Sequence, residues 1–118
     1  GYDRHFTLTA ALGINMLNVE MTDEGPNMDQ VSSLIADDPD IKGIWNVPKY
    51  SNPTGCTYSD ATVAQIAALP NDAAADDFVV LWDNAYAVHD LEFPGAKLAS
   101  IYVTNQVTCQ VAPTLSLV

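Results

Sequence analysis

Asp83 follows directly on the apolar run Phe78–Trp82. A carboxylate at the end of a buried strand must meet a partner, because burying it alone is costly. One partner that suits it is the protonated nitrogen of a planar heterocycle. A paired carboxylate keeps that nitrogen protonated and turns the ring into an electron sink, which carbanion chemistry on an amino acid needs. The competing reading is local: an Asp that caps the next turn or pairs with a nearby donor. Tyr86, one turn further on, can be swung beside the same ligand or stand as an ordinary half-buried tyrosine. Asn52 lies between Ser51 and Pro53 in a loop of turn formers, where an amide often satisfies its own backbone.

Position links the three. Asn52-Pro53-Thr54-Gly55 and Asp83-Asn84-Ala85-Tyr86 each come just past a short apolar run that reads as a buried strand. In a parallel sheet the loops after the strand C-termini face one crevice, and α/β proteins bind ligands there. An amide, a carboxylate and a phenol therefore converge on one spot.

The elements that must hold them follow from periodicity. Asp3 to Leu12 carries apolar or small residues at helical intervals, with Gly13 as its stop. Ile14 to Met21 alternates as a strand, and Thr22 to Pro26 is a turn. Asn27 caps a helix whose apolar face is Met28, Val31, Leu34 and Ile35, ended by Asp37-Asp38-Pro39. Ile41 to Val47 is a strand and Pro48 to Thr57 a loop. Ser59 or Asp60 caps a third helix with Val63, Ile66, Ala67 and Leu69 on one face, and Pro70 to Asp77 is an acidic connection. Phe78 to Trp82 is a continuous apolar run of the kind found in parallel strands covered on both faces. The order α-β-α-β-α-β predicts an α/β fold, a three-layer α/β/α arrangement around a mostly parallel sheet. Ile101 to Val118 is β-prone and uncharged, a strand pair broken near Pro113 that could pair edge-to-edge with another chain.

Bulk properties exclude several functions. The 118 residues make one domain at most, and 48% hydrophobic with 16% charged residues describes a globular segment. The net charge of −11, with only Arg4, Lys42, Lys49 and Lys97 as cations, argues against nucleic acid and anionic membrane surfaces as partners. No apolar run reaches the ~18–20 residues of a membrane span. Cys56 and Cys109 are far apart without a CxxC pairing, and read as reduced thiols of a cytoplasmic protein. His5 and His89 lack neighbours at metal spacing and read as surface or turn histidines. Lys49 reads as a solvated loop lysine, with neutralisation of a ligand phosphate as the alternative. The chain opens at Gly1 rather than Met, so a longer parent is expected.

Lys49-Tyr50-Ser51-Asn52-Pro53-Thr54-Gly55, followed by Trp82-Asp83-Asn84-Ala85-Tyr86, resembles the fold-type I pyridoxal-phosphate aminotransferases. Gly1-Tyr2-Asp3-Arg4-His5-Phe6, Ile41-Lys42-Gly43-Ile44-Trp45 and Ala85-Tyr86-Ala87-Val88-His89 narrow this to the MocR-like, aspartate-aminotransferase-type branch. The resemblance covers about residues 1–101, which it implies are part of the large, cofactor-binding domain; residues 102–118 form a tail that does not resemble the family. It implies pyridoxal 5'-phosphate as cofactor, an amino acid (aspartate among the candidates) and a 2-oxo acid as substrates, and a homo-oligomer. It further implies that Asn52 donates to the cofactor's ring hydroxyl oxygen, that Tyr86 bonds the same oxygen, and that Asp83 pairs with the ring nitrogen. In such proteins the Asn-Pro bond is often cis, which would place Pro53 after a cis peptide.

The sequence departs from the family after Tyr86. No Ser-x-x-Lys segment follows, and Lys97, in Pro94-Gly95-Ala96-Lys97-Leu98, does not match the family's Schiff-base lysine. The phosphate-binding loop, the aromatic that stacks on the ring and the arginine that grips the substrate carboxylate also have no counterpart. The expectation is thus an aminotransferase segment without the catalytic lysine, inactive alone. A non-catalytic binding or assembly module and the effector domain of a MocR-type transcription regulator are the alternatives.

Overall fold

The computed structural model describes residues 3–51, 54–83 and 116–117. Helix α1 (Asp3–Ala11) ends where expected. Gly13 takes φ 72°, and the Ile14 N–H returns to the Thr9 carbonyl at 2.8 Å. A positive φ is open to glycine without a Cβ penalty, so the chain reverses cheaply there. Helix α2 (Met28–Asp37) starts at Asn27, whose side chain accepts from the Gln30 N–H at 3.2 Å. Helix α3 (Asp60–Asp72) starts at Ser59, whose hydroxyl accepts from the Thr62 N–H, also at 3.2 Å. Each cap satisfies a helix donor that would otherwise be orphaned.

The strands are β1 (Asn15–Met16), β2 (Met21–Thr22), β3 (Gly25–Pro26), β4 (Ile41–Asn46), β5 (Val79–Trp82) and β6 (Ser116–Leu117). A four-stranded sheet has the order β1-β6-β4-β5, with every pairing parallel. The fold is therefore α/β, as its alternation of elements predicts. Its backbone is the β4–β5 ladder, which runs in register from Gly43↔Val79 to Asn46↔Trp82. Val31 and Ile35 of α2, Val63 and Ile66 of α3 and Ile44 of β4 form one buried core. Neighbouring strand residues face opposite sides, so Trp45 turns away from Ile44 to the face that α1 covers.

Three expectations are corrected. Ile14 to Met21 is not one strand: β1 and β2 are separated by residues 17–20. The Glu20 carbonyl accepts from the Asn27 N–H and the Glu20 N–H donates to Gln30 Oε1, both at 2.8 Å. That backbone is committed to the start of α2, and β2 and β3 form a tight antiparallel hairpin. Pro70 does not begin a connection, because α3 continues through it to Asp72. Proline has no N–H to give, but the Ala73 N–H still reaches the Leu69 carbonyl at 3.0 Å, and Leu69 is anchored in the core. In the tail, Ser116–Leu117 does not offer an edge to another chain: β6 lies inside the sheet between β1 and β4. The proposed break near Pro113 lies outside the described residues.

Candidate functional site

The C-terminal end of the β4–β5 ladder holds the described part of the site. The Asp83 N–H donates to the Asn46 carbonyl at 2.8 Å and extends the ladder one residue past β5. Asp83 therefore leaves the sheet at the edge where the 47–58 loop leaves β4. This loop closes on itself. The Ser51 N–H bonds the Cys56 carbonyl at 2.9 Å, the Tyr58 N–H bonds the Pro48 carbonyl at 2.8 Å, and Gly55 returns to Ser51. Asn52 and Pro53, between these anchors, lie outside the described residues, as does Tyr86. So the structure places Asp83 and the anchors that flank Asn52 at one sheet edge.

The loop is built under constraint. Tyr50 holds φ 56°, a left-handed conformation rare for a residue with a Cβ. Lys49 beside it is only 7% exposed and sets its ammonium 5.3 Å from the centre of the Tyr50 ring. A solvated lysine was the expectation, and burial of the stem against loop and ring corrects it. Such backbone strain persists only where surroundings enforce it, and it concentrates at ligand sites.

His5 is the second correction. It is not a surface residue: its side chain is 18% exposed and stacks on Trp45, with ring centroids 4.0 Å apart and planes at 24°. Its Nε2 lies 3.6 Å from Asp83 Oδ2, within ion-pair reach and slightly long for a direct hydrogen bond. Asp83 is 28% exposed, so it meets both protein and solvent. Sequence reasoning missed His5 because the contact joins α1 to the end of β5, at a separation no local pattern encodes. It missed Trp45 as a support, although alternation along β4 already sets that side chain opposite Ile44.

Beside this cluster lies a cleft of about 130 Å³ whose walls include His5, Met16, Trp45, Asn46 and Tyr58. Asn46 is buried, with its Nδ2 3.4 Å from the Leu81 carbonyl. Among the described residues, the buried Asn46 Oδ1 and Trp45 Nε1 have no hydrogen-bond partner. Burial pushes the Tyr58 hydroxyl up to about 12; nearby Cys56 adds to this and a backbone hydrogen bond at Val47 opposes it. The phenol is thus a neutral wall at physiological pH. Burial first, and Asp23 second, raise the Cys56 thiol above its ordinary value, which makes it a poor nucleophile. Among the described residues no group of histidines, cysteines and carboxylates could hold a metal ion.

Known proteins resemble this chain along most of its length. The family model described as aspartate amino-transferase matches residues 1–112. A protein of Mycolicibacterium smegmatis, provisionally named an aminotransferase, is 52% identical over 91 residues, which are 77% of this chain and 21% of that protein. An aspartate aminotransferase of Corynebacterium glutamicum is 49% identical over 96 residues, covering 80% of this chain and 22% of that protein. The crystal structure of an aspartate transaminase from Corynebacterium glutamicum superposes with a TM-score of 0.82 at 42% identity, covering 90% of this chain and 24% of that one. The chain thus spans about a fifth of the length of the curated relatives it matches. At that identity, and with the family match running through both motif-bearing loops, the chain belongs to the aspartate amino-transferase family.

Proposed function

We propose that this chain is the cofactor-tuning part of a pyridoxal-phosphate-dependent aminotransferase, which moves an amino group between an amino acid, aspartate among them, and a 2-oxo acid. The observation that carries the reading is Asp83: a half-exposed carboxylate at the C-terminal edge of a parallel sheet, beside the loop that bears Asn52. Its chemistry fits the cofactor, since a carboxylate there accepts from a protonated ring nitrogen. When bound, pyridoxal phosphate supplies an electron sink for the pair released as a bond at the amino acid's α-carbon breaks.

This chain's own residues then have separable tasks. Asp83 holds a proton at the ring nitrogen, and Asn52 and Tyr86 hydrogen-bond the ring hydroxyl oxygen. Buried Lys49, close to the strained turn at Tyr50, is a candidate counter-charge for the phosphate. Residues 1–101 form part of the large domain in this reading. No lysine in these 118 residues sits in a Ser-x-x-Lys setting, so we assign the chain the groups that tune the cofactor and not the one that binds it covalently. The parent enzyme is read as a cytoplasmic homodimer.

A titration with pyridoxine 5'-phosphate tests the reading. This analogue lacks the aldehyde and cannot form an imine with Lys42, Lys49 or Lys97. Binding that is lost or strongly weakened in Asp83→Asn and Asn52→Ala supports the assignment; equal binding by all three proteins refutes it.

A further inference from the structure

We propose that the gap between β1 and β4 is a strand-exchange site, which takes an extended, uncharged peptide in place of β6. The inference goes beyond the cofactor reading and does not depend on it.

The cleft of about 130 Å³ lies in the plane of the sheet. Its walls include residues 16–19 on one side and residues 44–47 on the other. Consecutive residues of a strand face opposite sides of a sheet. A cavity that touches four in a row on each of two extended segments therefore lies between them, not above or below. Nearer the N-terminal ends of the strands, β6 occupies the same gap. It pairs with β1 through Ser116 and Leu117, and with β4 at Ile41 and Gly43. One strand between two others holds them about 9.6 Å apart, twice the usual spacing. The cleft is thus the open continuation of the slot that β6 fills.

β6 fills that slot poorly. It has two residues where β4 has six, and its register with β4 shifts between Ile41 and Gly43. It also lies past residue 112, where the family match ends. β1 stops at Met16, the residue paired with Leu117, yet alternate burial continues: Leu17 and Val19 pack on the core and Asn18 is exposed. Residues 17–19 keep the pattern of a strand beyond the last residue of β6 that could pair with them. On the other wall, the Asn46 carbonyl is turned to β5, where it accepts from the Asp83 N–H. Neighbouring residues of a strand direct their backbone groups to opposite edges, so Trp45 presents its own to the slot. Strand edges of this kind are templates for pairing.

The walls set the chemistry of the occupant. Met16, Leu17, Val19 and Ile44 are apolar, and among the described residues no carboxylate, ammonium or guanidinium lines the cleft. A charged segment would be desolvated there without a partner. Trp45 Nε1, a donor, and Asn46 Oδ1, an acceptor, are buried without partners among the described residues. The two side chains leave opposite faces of β4, so two successive hydroxyl or amide side chains of an incoming strand can serve them. The occupant is therefore an extended peptide of about six residues, apolar except for two adjacent Ser, Thr, Asn or Gln, recognised by strand addition.

Amide hydrogen exchange followed by NMR tests this on the native chain, with acetyl-Val-Ile-Val-Thr-Gln-Val-amide as the probe. At a peptide concentration ten times its Kd, the Trp45 amide should exchange about tenfold more slowly. Ser116 and Leu117 should exchange faster as β6 is displaced, and the Ile44 amide, turned to β5, should not respond. The same peptide with proline in place of threonine should lose the effect, because proline has no N–H to give the ladder. Leu117→Pro, which weakens β6, should tighten binding of the probe; if that variant does not fold, the exchange pattern of the native chain decides alone. An unchanged Trp45 amide, or protection confined to the open edge at β5, overturns the proposal. The same exchange pattern produced by concentrating the native chain without peptide would assign the slot to the tail of a second copy and overturn it as well.

Discussion

At the scale of single residues, surroundings decide what each side chain of the candidate site can do. Tyr58 is the clearest case. Its hydroxyl, 6% exposed in the core, is pushed up to about 12 by burial, from about 10 in an unfolded chain. A raised acid pKa means that the folded state holds the proton more tightly than the unfolded one. The stability from this difference is complete below about pH 10 and is lost as pH rises through about 12. Alkaline unfolding followed by circular dichroism should therefore steepen between those values, and Tyr58→Phe should flatten that limb. A variant with an unaltered alkaline limb would mean that Tyr58 is solvated. Asp83 is held differently, by a backbone bond to β4 and a facing imidazole from α1. Its place at the C-terminal end of β5 was readable from the apolar run before it. The facing imidazole was not, because nothing near His5 in sequence marks its contact with Trp45 or Asp83.

At the scale of elements, β4 organises the structure. It pairs with β5 on one side and β6 on the other, and it launches the loop that bears Asn52. Strand, helix and cap positions here were largely legible: Asn27 and Ser59 cap the helices expected of them, and the apolar faces of α2 and α3 are the ones that meet. What sequence patterning did not show were the features set by distant partners. The β2–β3 hairpin is one, because Gly25 is needed by α3 rather than by the turn alone. A Cβ at Gly25 would lie 2.8 Å from Thr62 Cγ2 and 3.2 Å from the Tyr58 ring, on a backbone at φ 131°. Gly25→Ala should then destabilise by about 1–3 kcal/mol in urea unfolding, the usual range for overpacking a tight site. A loss under half a kcal/mol would show that the hairpin moves freely from α3. The Lys42–Asp77 ion pair, at 2.8 Å, ties the start of β4 to the turn before β5. The hydrogen bond from Lys42 holds the Asp77 carboxyl below its ordinary value. A depressed carboxyl contributes stability above its unfolded value of about 4 that fades as pH falls through the folded one. Lys42→Met should therefore lower stability in urea unfolding at neutral pH, with the difference from the native protein vanishing as the carboxyl is protonated at low pH.

At the scale of the whole molecule, charge and the share of the family's length that the chain spans are the governing facts. Four cations stand against fifteen carboxylates, so self-repulsion opposes the compact state. Raising ionic strength from 0.01 to 0.15 M shortens the Debye length from about 30 to about 8 Å, which should raise the Tm. A fall in Tm would mean that pairs such as Lys42–Asp77 outweigh the repulsion. No helix among the described residues is long and apolar enough to cross a membrane. Because the chain spans about a fifth of its curated relatives, its own contribution is best judged by what it does to a cofactor ring rather than by turnover. The most direct measurement is the nitrogen-15 resonance of ring-labelled pyridoxine 5'-phosphate bound to the protein, taken at a pH where the free compound has lost its ring proton. The account predicts a protonated ring nitrogen in the native protein and an unprotonated one, or no binding, in Asp83→Asn. An unprotonated nitrogen in the native complex, or the same resonance in both proteins, would contradict it.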